Sequence, residues 1–181
     1  STIVIQFLGI KFVPAPGDPA MLTFRIPERV FLTFDFFTNS TMRTKNLAYL
    51  NINVEEIRAH PDQFANKLLP LANEDFLKGS GAVKEPMQVI EVNPIKEGST
   101  GVHNELIRYL ATKELAIDVW DGDSLMHFGK ARTRLFRVLR QGKDSEIYSP
   151  SLEIIDEVKK EVRGVLQLSI KNQALMMDVR P

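Results

Sequence analysis

The sequence of 181 residues contains no cysteine. A disulfide framework and a thiolate metal site are therefore excluded, because both need cysteine sulfur. An excess of one charge is also missing, since Lys plus Arg and Asp plus Glu each number 23. A chain without excess positive charge gives no reason to expect a nucleic-acid partner. We therefore predict neither a metal-thiolate protein nor a nucleic-acid-binding protein.

Catalytic and membrane-spanning signals are missing as well. The three histidines are scattered and lack the paired spacing of a zinc site; they are His60, His103 and His127. No serine lies in a nucleophile elbow, and no glycine-rich loop ends in Gly-Lys-Ser or Gly-Lys-Thr. No apolar run approaches the roughly 20 residues that cross a bilayer. We therefore predict that the chain is not an enzyme and binds no cofactor.

What the chain does contain is strand-like alternation, most clearly in Leu115–Arg140. In its first part the apolar residues fall on one face of an extended segment, at Leu115, Ile117 and Val119. The residues Asp121–Ser124 then interrupt this pattern with Asp and Gly, which favour turns. After Gly129 the alternation resumes, with Ala131, Thr133 and Leu135 opposite Lys130, Arg132 and Arg134. The stretch predicts a strand, an acidic turn and a second strand.

Further strands are predicted along the chain, at Ile3–Val13, Val30–Phe37, Asn46–Val54, Met87–Val92, Ser151–Ile155 and Arg163–Ile170. The second of these carries a strongly apolar face made of Val30, Leu32, Phe34 and Phe36. Burial of each such side chain contributes about 1.5–3 kcal/mol, so this face must pack against a partner sheet. The spacing of apolar residues between Val102 and Lys113 predicts a helix that covers one end of the domain.

The middle of the chain, at about residues 54–86, shows no clear period. Pro61 suits the first turn of a short helix, in which Phe64, Leu68 and Leu71 would share one side. We therefore expect an insertion or a long irregular connection in this range. About eight short strands elsewhere predict one all-β domain over residues 1–181, an antiparallel eight-stranded β-sandwich with a helical insertion.

Four runs of residues carry a resemblance to a known family. An apolar strand followed by VWDGD, a short loop, FG and another strand is similar to the third top loop of a C2 domain. The fuller run VWDGDSLMHFG, with LRQG at Leu139–Gly142, resembles the C2-type domain of the nephrocystin-4 family, which belongs to the ciliary transition zone. The runs FLGIKF (Phe7–Phe12) and VFLTFDFF (Val30–Phe37) are similar to the opening strands of the same domain.

The resemblance implies a C2-like domain that is a fragment of a longer protein. It also implies a non-catalytic protein-interaction module of a cytoplasmic scaffold at the ciliary transition zone and basal body. The implied partners are other nephrocystins and transition-zone scaffold proteins. Two alternatives stay open. One is a peripheral phospholipid-binding C2 domain that uses a basic strand face, and the other is an auxiliary β-sandwich inside a larger enzyme.

Asp121 and Asp123 match the Asp-x-Asp pair that holds Ca²⁺ in calcium-dependent C2 domains. Calcium needs six to eight oxygen ligands, and two carboxylates from one loop do not supply them. The connection before the second strand adds only Asp18 and Glu28. We therefore expect vestigial carboxylates that accept hydrogen bonds from backbone N–H groups in a turn, and no metal.

Basic residues cluster after this turn, at Lys130, Arg132, Arg134, Arg137, Arg140 and Lys143. On a strand the first three would project from one face, which suits an acidic protein partner or an anionic lipid headgroup. Membrane attraction is about 1 kcal/mol per basic residue, so the lipid contact would be weak and sensitive to salt. The alternative is a solvated outer face of a strand.

Leu125 and Met126 lie within the turn and have two interpretations. They either form exposed apolar loop contacts for a membrane or a partner, or continue the next strand into the core, which we favour. Trp120 either anchors a partner or covers the end of the core, and here the second interpretation is favoured.

Overall fold

The computed structural model describes residues 1–92 and 100–174, without the side chains of residues 100–103. The strands of the described residues are β1 (Thr2–Phe12), β2 (Val30–Phe36), β3 (Asn39–Arg43), β4 (Leu47–Tyr49), β5 (Leu68–Asn73), β6 (Met87–Glu91), β7 (Glu114–Asp121), β8 (His127–Arg134), β9 (Ser145–Tyr148), β10 (Ser151–Asp156) and β11 (Glu161–Gln173). The helices are α1 (Val54–Ala59), α2 (Glu74–Leu77) and α3 (Thr100–Thr112), with 3₁₀ turns at Pro61–Phe64 and Phe136–Val138.

Eight of these strands close into one barrel-like antiparallel sheet. Their order is β1-β5-β4-β2-β7-β8-β10-β11, and β11 pairs again with β1 over most of its length. The strands β3, β6 and β9 extend this ring at its edges. The all-β antiparallel prediction is confirmed, but the prediction of two separate facing sheets requires correction. Two single residue pairs, one between β2 and β4 and one between β8 and β10, connect the three strands β2, β7 and β8 to the other five, so the sheet is continuous around the ring.

The core forms from the inward apolar faces of the strands. The inward side chains of β1 include Ile3, Ile5 and Phe7, all fully buried. The apolar face of β2 is buried as expected, at Val30, Leu32, Phe34 and Phe36. The rings of Phe7 and Phe34 meet edge to face at 5.9 Å, which joins the two strands across the interior. The predicted helix is present as α3, whose Leu106 and Leu110 pack into the core.

The range 54–86 is more regular than the sequence predicts. Pro61 does open a short helical segment, the 3₁₀ turn. The prediction that Phe64, Leu68 and Leu71 share one side of a helix is wrong, because the two leucines belong to β5. This strand pairs with β1 and with β4, so it closes the ring and is not an irregular connection. The apolar period of two in Leu69 and Leu71 was hidden by Pro70 between them.

Four connections leave the ring at the same end, which we call the loop end. β1 ends at Phe12 beside Gly164 at the start of β11, and Val30 at the start of β2 pairs with Asp121 at the end of β7. The connections are residues 13–29, 50–67, 122–126 and 157–160. No helix in the part of the chain that the structure describes is long and apolar enough to span a membrane.

Candidate interaction surface

The turn between β7 and β8 is held by the carboxylate of Asp121. Its Oδ1 accepts hydrogen bonds from the backbone N–H groups of Asp123 at 2.8 Å and Ser124 at 3.1 Å. The carbonyl of Asp121 accepts a further bond from the N–H of Leu125 at 2.9 Å. One carboxylate oxygen is therefore committed to an Asx turn, the local structure for which Asp is suited.

Arg29 holds the second carboxylate of the turn. Its guanidinium pairs with Oδ1 of Asp123, while Oδ2 of Asp123 accepts the backbone N–H of Glu28 at 2.9 Å. The Nε of Arg29 donates to Glu74 at 2.6 Å. Gly122 makes this approach possible, because a Cβ at that position would lie 2.9 Å from the Arg29 carbonyl oxygen. An arginine side chain thus lies against a carboxylate that holds calcium in the C2 pattern.

The remaining acidic residues of this end are also engaged. Glu28 accepts from the Nε of Arg58 in α1 at 3.0 Å. Asp18 accepts from the backbone of Leu22 and Thr23 and from the Thr23 hydroxyl, so these bonds lower the pKa of its carboxyl. Within residues 1–92 and 100–174, no three His, Asp or Glu side chains are grouped so that they could hold a metal ion.

Glu74 is the least exposed carboxylate of this ion network, at 13%. Burial raises the pKa of its carboxyl, but hydrogen bonds from Arg29 and Lys78 outweigh burial and leave the pKa below its ordinary value of 4.5. The same bond to Glu74 raises the pKa of Arg29, so both partners are charged at neutral pH. The network ties α2 to the start of β2 and to the β7–β8 turn.

The basic strand face predicted for β8 is present, but it is not purely basic. Lys130 lies 3.7 Å from Asp118 of β7, and Arg132 pairs with Glu114 at 3.3 Å and with Glu157 at 3.0 Å. Arg134 shares the face and has no carboxylate within 4.0 Å among the described residues. Two of the three cations are therefore paired with carboxylates of β7 and of the β10–β11 connection.

The other predicted cations lie away from this face. The guanidinium of Arg137 lies 5.8 Å from the ring of Phe136 and 5.9 Å from that of Tyr148. Arg140 donates to the carbonyl of Lys143 and to the hydroxyl of Ser1. The structure therefore separates the six clustered cations into three on the face of β8 and three in the segment that follows it, because β8 ends at Arg134.

Leu125 and Met126 do not continue β8 into the core. They stand at the tip of the turn with 65% and 69% of their surface exposed, and β8 begins only at His127. The favoured interpretation of these residues is therefore wrong, because both side chains are exposed. Their role as contacts for a membrane or a partner stays a prediction. Leu125 also has a positive φ of 63°, a conformation that a leucine rarely adopts.

Trp120 does not cover the core either, because it lies on the outer face of β7. Its ring stacks on Phe31 with centroids 6.0 Å apart, and its Nε1 donates to Thr33 at 2.9 Å. His127 meets the indole edge to face at 4.9 Å, and the guanidinium of Arg43 lies 4.0 Å above Phe31. The sequence did contain a signal, since Trp120 alternates with the buried residues of β7, but its partners come from two other strands, β2 and β8.

Comparisons with known proteins show which family has similar sequences. A family model described as "Nephrocystin-4 C2 third domain" matches residues 1–176. Two curated relatives are similar, both named nephrocystin-4. The Xenopus laevis protein is 29% identical over 153 residues, and the Homo sapiens protein 27% identical over 129 residues. These alignments cover 84% and 71% of this chain, but only 10% and 9% of the relatives, so the chain spans about a tenth of their length.

A solved chain described as "CC2D1B coordinates ESRCT-III activity during the mitotic reformation of the nuclear envelope" also aligns. The TM-score is 0.49 at 9% identity, with 94% of this chain and 54% of the solved chain covered.

Proposed function

The chain belongs to the nephrocystin-4 C2 third-domain family, and from this premise we propose that it is a non-catalytic, calcium-independent protein-interaction module. Its setting would be a cytoplasmic scaffold at the ciliary transition zone and basal body. Its partners would be other nephrocystins and transition-zone scaffold proteins. The proposed contacts are the outer face of β8, with Lys130, Arg132 and Arg134, and the exposed tip of Leu125 and Met126.

Calcium independence rests on one observation, the guanidinium of Arg29 beside Asp123. A divalent cation at this turn would have to displace that guanidinium, which is also bonded to Glu74. It would also have to recruit further oxygen ligands, since calcium takes six to eight. The turn is therefore stabilised by a fixed internal cation.

Titration calorimetry with calcium chloride tests this part of the proposal. We expect no binding heat at micromolar calcium for the unmodified chain. The Asp121→Asn/Asp123→Asn double variant should behave identically, because no site exists to remove. Micromolar binding that disappears in the double variant would contradict the proposal.

The scaffold role is tested in ciliated cells that express the proposed scaffold protein, of which this chain would be one domain. Deletion of residues 1–176 should reduce its recovery of transition-zone proteins and its position at the ciliary base. An Arg132→Glu/Arg134→Glu variant then tests the strand face, and Lys45→Glu/Lys84→Glu serves as a charge-matched control at exposed positions on two other connections. Unchanged partners and position after the deletion would contradict the scaffold role.

The second candidate function is peripheral binding to phospholipid, and a specific observation favours it. Among the described residues, the four most exposed large apolar side chains all lie on loop-end connections: Leu22, Leu125, Met126 and Val158. Exposed apolar tips of this kind can enter the interface of a bilayer. Lys130 and Arg132 of β8 contribute less to attraction by an anionic membrane than two free cations would, because each is paired with a carboxylate.

Sedimentation with phosphatidylserine vesicles at physiological salt separates the two functions. If lipid binding is the function, Leu125→Ser/Met126→Ser should abolish it, whereas Val83→Ser should not, because Val83 is similarly exposed on a different connection. Arg132→Glu/Arg134→Glu in the same assay shows whether the strand face takes part. No sedimentation of the unmodified chain would exclude this alternative.

A further inference from the structure

Two adjoining cavities form a groove across the loop end. The first has a volume of about 230 Å³ and the second about 340 Å³. Three residues line both cavities and therefore stand between them: Arg25, Phe128 and Arg163. We call the combined depression the loop-end groove. None of the proposed function's contact residues on β8 lines it.

Arg163 is positioned in the middle of this groove by an aromatic ring. Its guanidinium carbon lies 4.2 Å from the ring centroid of Phe128, which is itself held edge to face by Phe12 at 5.5 Å. Its nearest carboxylate is Asp156 at 3.8 Å, and its guanidinium donates no hydrogen bond within the described residues. Stacking fixes the plane of the guanidinium and leaves its edge donors available to an oxygen acceptor.

Arg25 provides a second cation beside it. One of its terminal nitrogens donates to the carbonyl of Phe24 at 2.8 Å, and no carboxylate lies within 4.0 Å of it among the described residues. Two arginines with available donors at one place attract a carboxylate, which a guanidinium can bind through two parallel hydrogen bonds.

The acidic residues of the groove do not satisfy these arginines. Asp123 is engaged by Arg29, and Glu28 is engaged by Arg58. Asp156 accepts the backbone N–H groups of Val158 and Lys159, which lowers the pKa of its carboxyl. Glu161 lines the first cavity together with Lys159, so these two charges balance there. Asp121 also lines the second cavity, and its Oδ1 accepts the backbone N–H groups of Asp123 and Ser124. At the centre, where Arg25 and Arg163 line both cavities, Asp156 is the one described carboxylate within 4.0 Å of either guanidinium, so two cations face one anion there.

The walls on either side of the arginines are apolar. The second cavity is lined by Ile26, Ile57 and Pro61, and the first by Val13, Ala15 and Phe24. The groove therefore has an apolar wall, a positive centre and a second apolar wall along its length. A ligand of complementary chemistry has an acidic group between two apolar groups.

We propose that the loop-end groove binds an extended peptide of a partner protein in which an acidic residue lies between apolar residues. The carboxylate pairs with Arg163 and Arg25, and the flanking apolar side chains enter the two cavities. This inference rests on the proposed protein-interaction function and names the chemistry of a partner segment. A bilayer is a poorer fit, because a flat surface cannot fill two cavities separated by a stacked arginine.

Selection of displayed peptides tests the inference on the chain itself. One library of random peptides has glutamate fixed at its centre, and a matched library has glutamine there. We expect enrichment from the glutamate library only, with apolar residues on both sides. Labelled peptides from it should lose affinity about tenfold or more, measured by fluorescence anisotropy, in the Arg25→Glu/Arg163→Glu variant.

Three further variants separate the groove from a general charge effect. Ala15→Trp fills the first cavity from an exposed position without changing charge and should also weaken binding. Arg163→Lys keeps the charge but not the bidentate geometry and should give an intermediate loss. Arg132→Glu/Arg134→Glu on the outer face of β8 should leave peptide affinity unchanged. Thermal unfolding of each variant identifies any loss of peptide affinity that comes from misfolding.

Several results would overturn the inference. Equal enrichment from both libraries would remove the acidic requirement, and peptide binding that survives both Arg25→Glu/Arg163→Glu and Ala15→Trp would place the peptide elsewhere. Vesicle binding lost in the first of these variants, without any enriched peptide, would assign the groove to lipid. The scaffold role is tested separately by deletion in cells, so peptide binding in the groove can be disproved without disproving the scaffold role.

Discussion

At the scale of single residues, Arg29 determines much of the behaviour of the loop end. Its guanidinium contacts Asp123 and Glu74, and Gly122 lets the turn approach its backbone closely. Charged pairs with two or more hydrogen bonds are stronger than isolated surface pairs, which contribute about 0–1 kcal/mol. The β7–β8 turn is therefore held by a side chain from another connection of the same chain.

Glu74 makes this network sensitive to acid. Its pKa in the folded chain is lowered below the ordinary 4.5 that applies when the chain is unfolded. Its stabilising contribution is therefore complete above about pH 4.5 and is lost as the pH falls through the lower, folded-state pKa. Glu74→Gln should reduce the free energy of unfolding at pH 7 by about 1–2 kcal/mol. The stability difference between Glu74→Gln and the unmodified chain should shrink towards pH 3 in urea titrations. A difference that grows as the pH falls would contradict the lowered pKa of Glu74.

Leu125 is held in a backbone conformation that costs a leucine about 1–2 kcal/mol. Leu125→Asn should therefore raise the free energy of unfolding by about 1 kcal/mol, because Asn tolerates positive φ. Met126→Asn is the matched control, since its backbone has no positive φ and it is equally exposed. Urea unfolding of both variants measures the difference, and a loss of stability in Leu125→Asn would show that the leucine makes contacts in the fold.

At the scale of elements, β5 decides whether the middle of the chain is an insertion or part of the core. Its backbone pairs with β1 at Gly9–Lys11 and with β4 at Leu47–Tyr49. An insertion could be removed without opening the sheet, but removal of this strand would leave β4 and residues Gly9–Lys11 of β1 without a partner on one side. The two sides of β5 also differ, since Leu69 is buried and Leu68 is partly exposed.

Alanine substitutions on these two sides test the role of β5. Leu69→Ala should lower the free energy of unfolding by about 2–5 kcal/mol, because it leaves a cavity in the core. Leu68→Ala changes a side chain that is 44% exposed and should cost less than about 1 kcal/mol. Denaturant unfolding measures both variants, and equal small losses would support the insertion instead.

At the scale of the whole molecule, the ladder between β1 and β11 closes the ring. It runs from the pair Thr2 and Gln173 to the pair Phe12 and Gly164. Near its loop-end terminus the strands approach so closely that a Cβ on Gly164 would strike the carbonyl oxygen of Lys11. Glycine is required at this point, because any side chain would push the two strands apart.

Gly164→Ala should therefore destabilise the molecule by about 1–3 kcal/mol, the usual cost of overpacking. It should also speed amide hydrogen exchange in β1 and β11 relative to β7. Gly17→Ala is the control, since nothing lies within 4 Å of a Cβ at Gly17, and it should change stability by less than about 0.5 kcal/mol. Unchanged stability and hydrogen exchange in Gly164→Ala would mean that the β1–β11 ladder accommodates the added methyl group without destabilisation.

Local patterning was sufficient to predict most of the elements of this protein. The alternation in Leu115–Arg140 predicted β7, the acidic turn and β8, because the side-chain period of a strand is a property of neighbouring residues. The same reasoning predicted β1, β2, α3 and β11, and for β2 it also predicted the buried face. The runs that resemble the nephrocystin-4 family were likewise legible in the sequence, and the family model bears them out.

Only the tertiary structure decided how these elements meet. The closure of β1 on β11, the place of β5 and the pairing of Arg29 with Asp123 join residues far apart in the chain. So do the stack of Trp120 on Phe31 and the partners of the β8 cations. Such contacts depend on which strands become neighbours, and a pattern of polar and apolar residues specifies which side of a strand is buried but not what lies beside it.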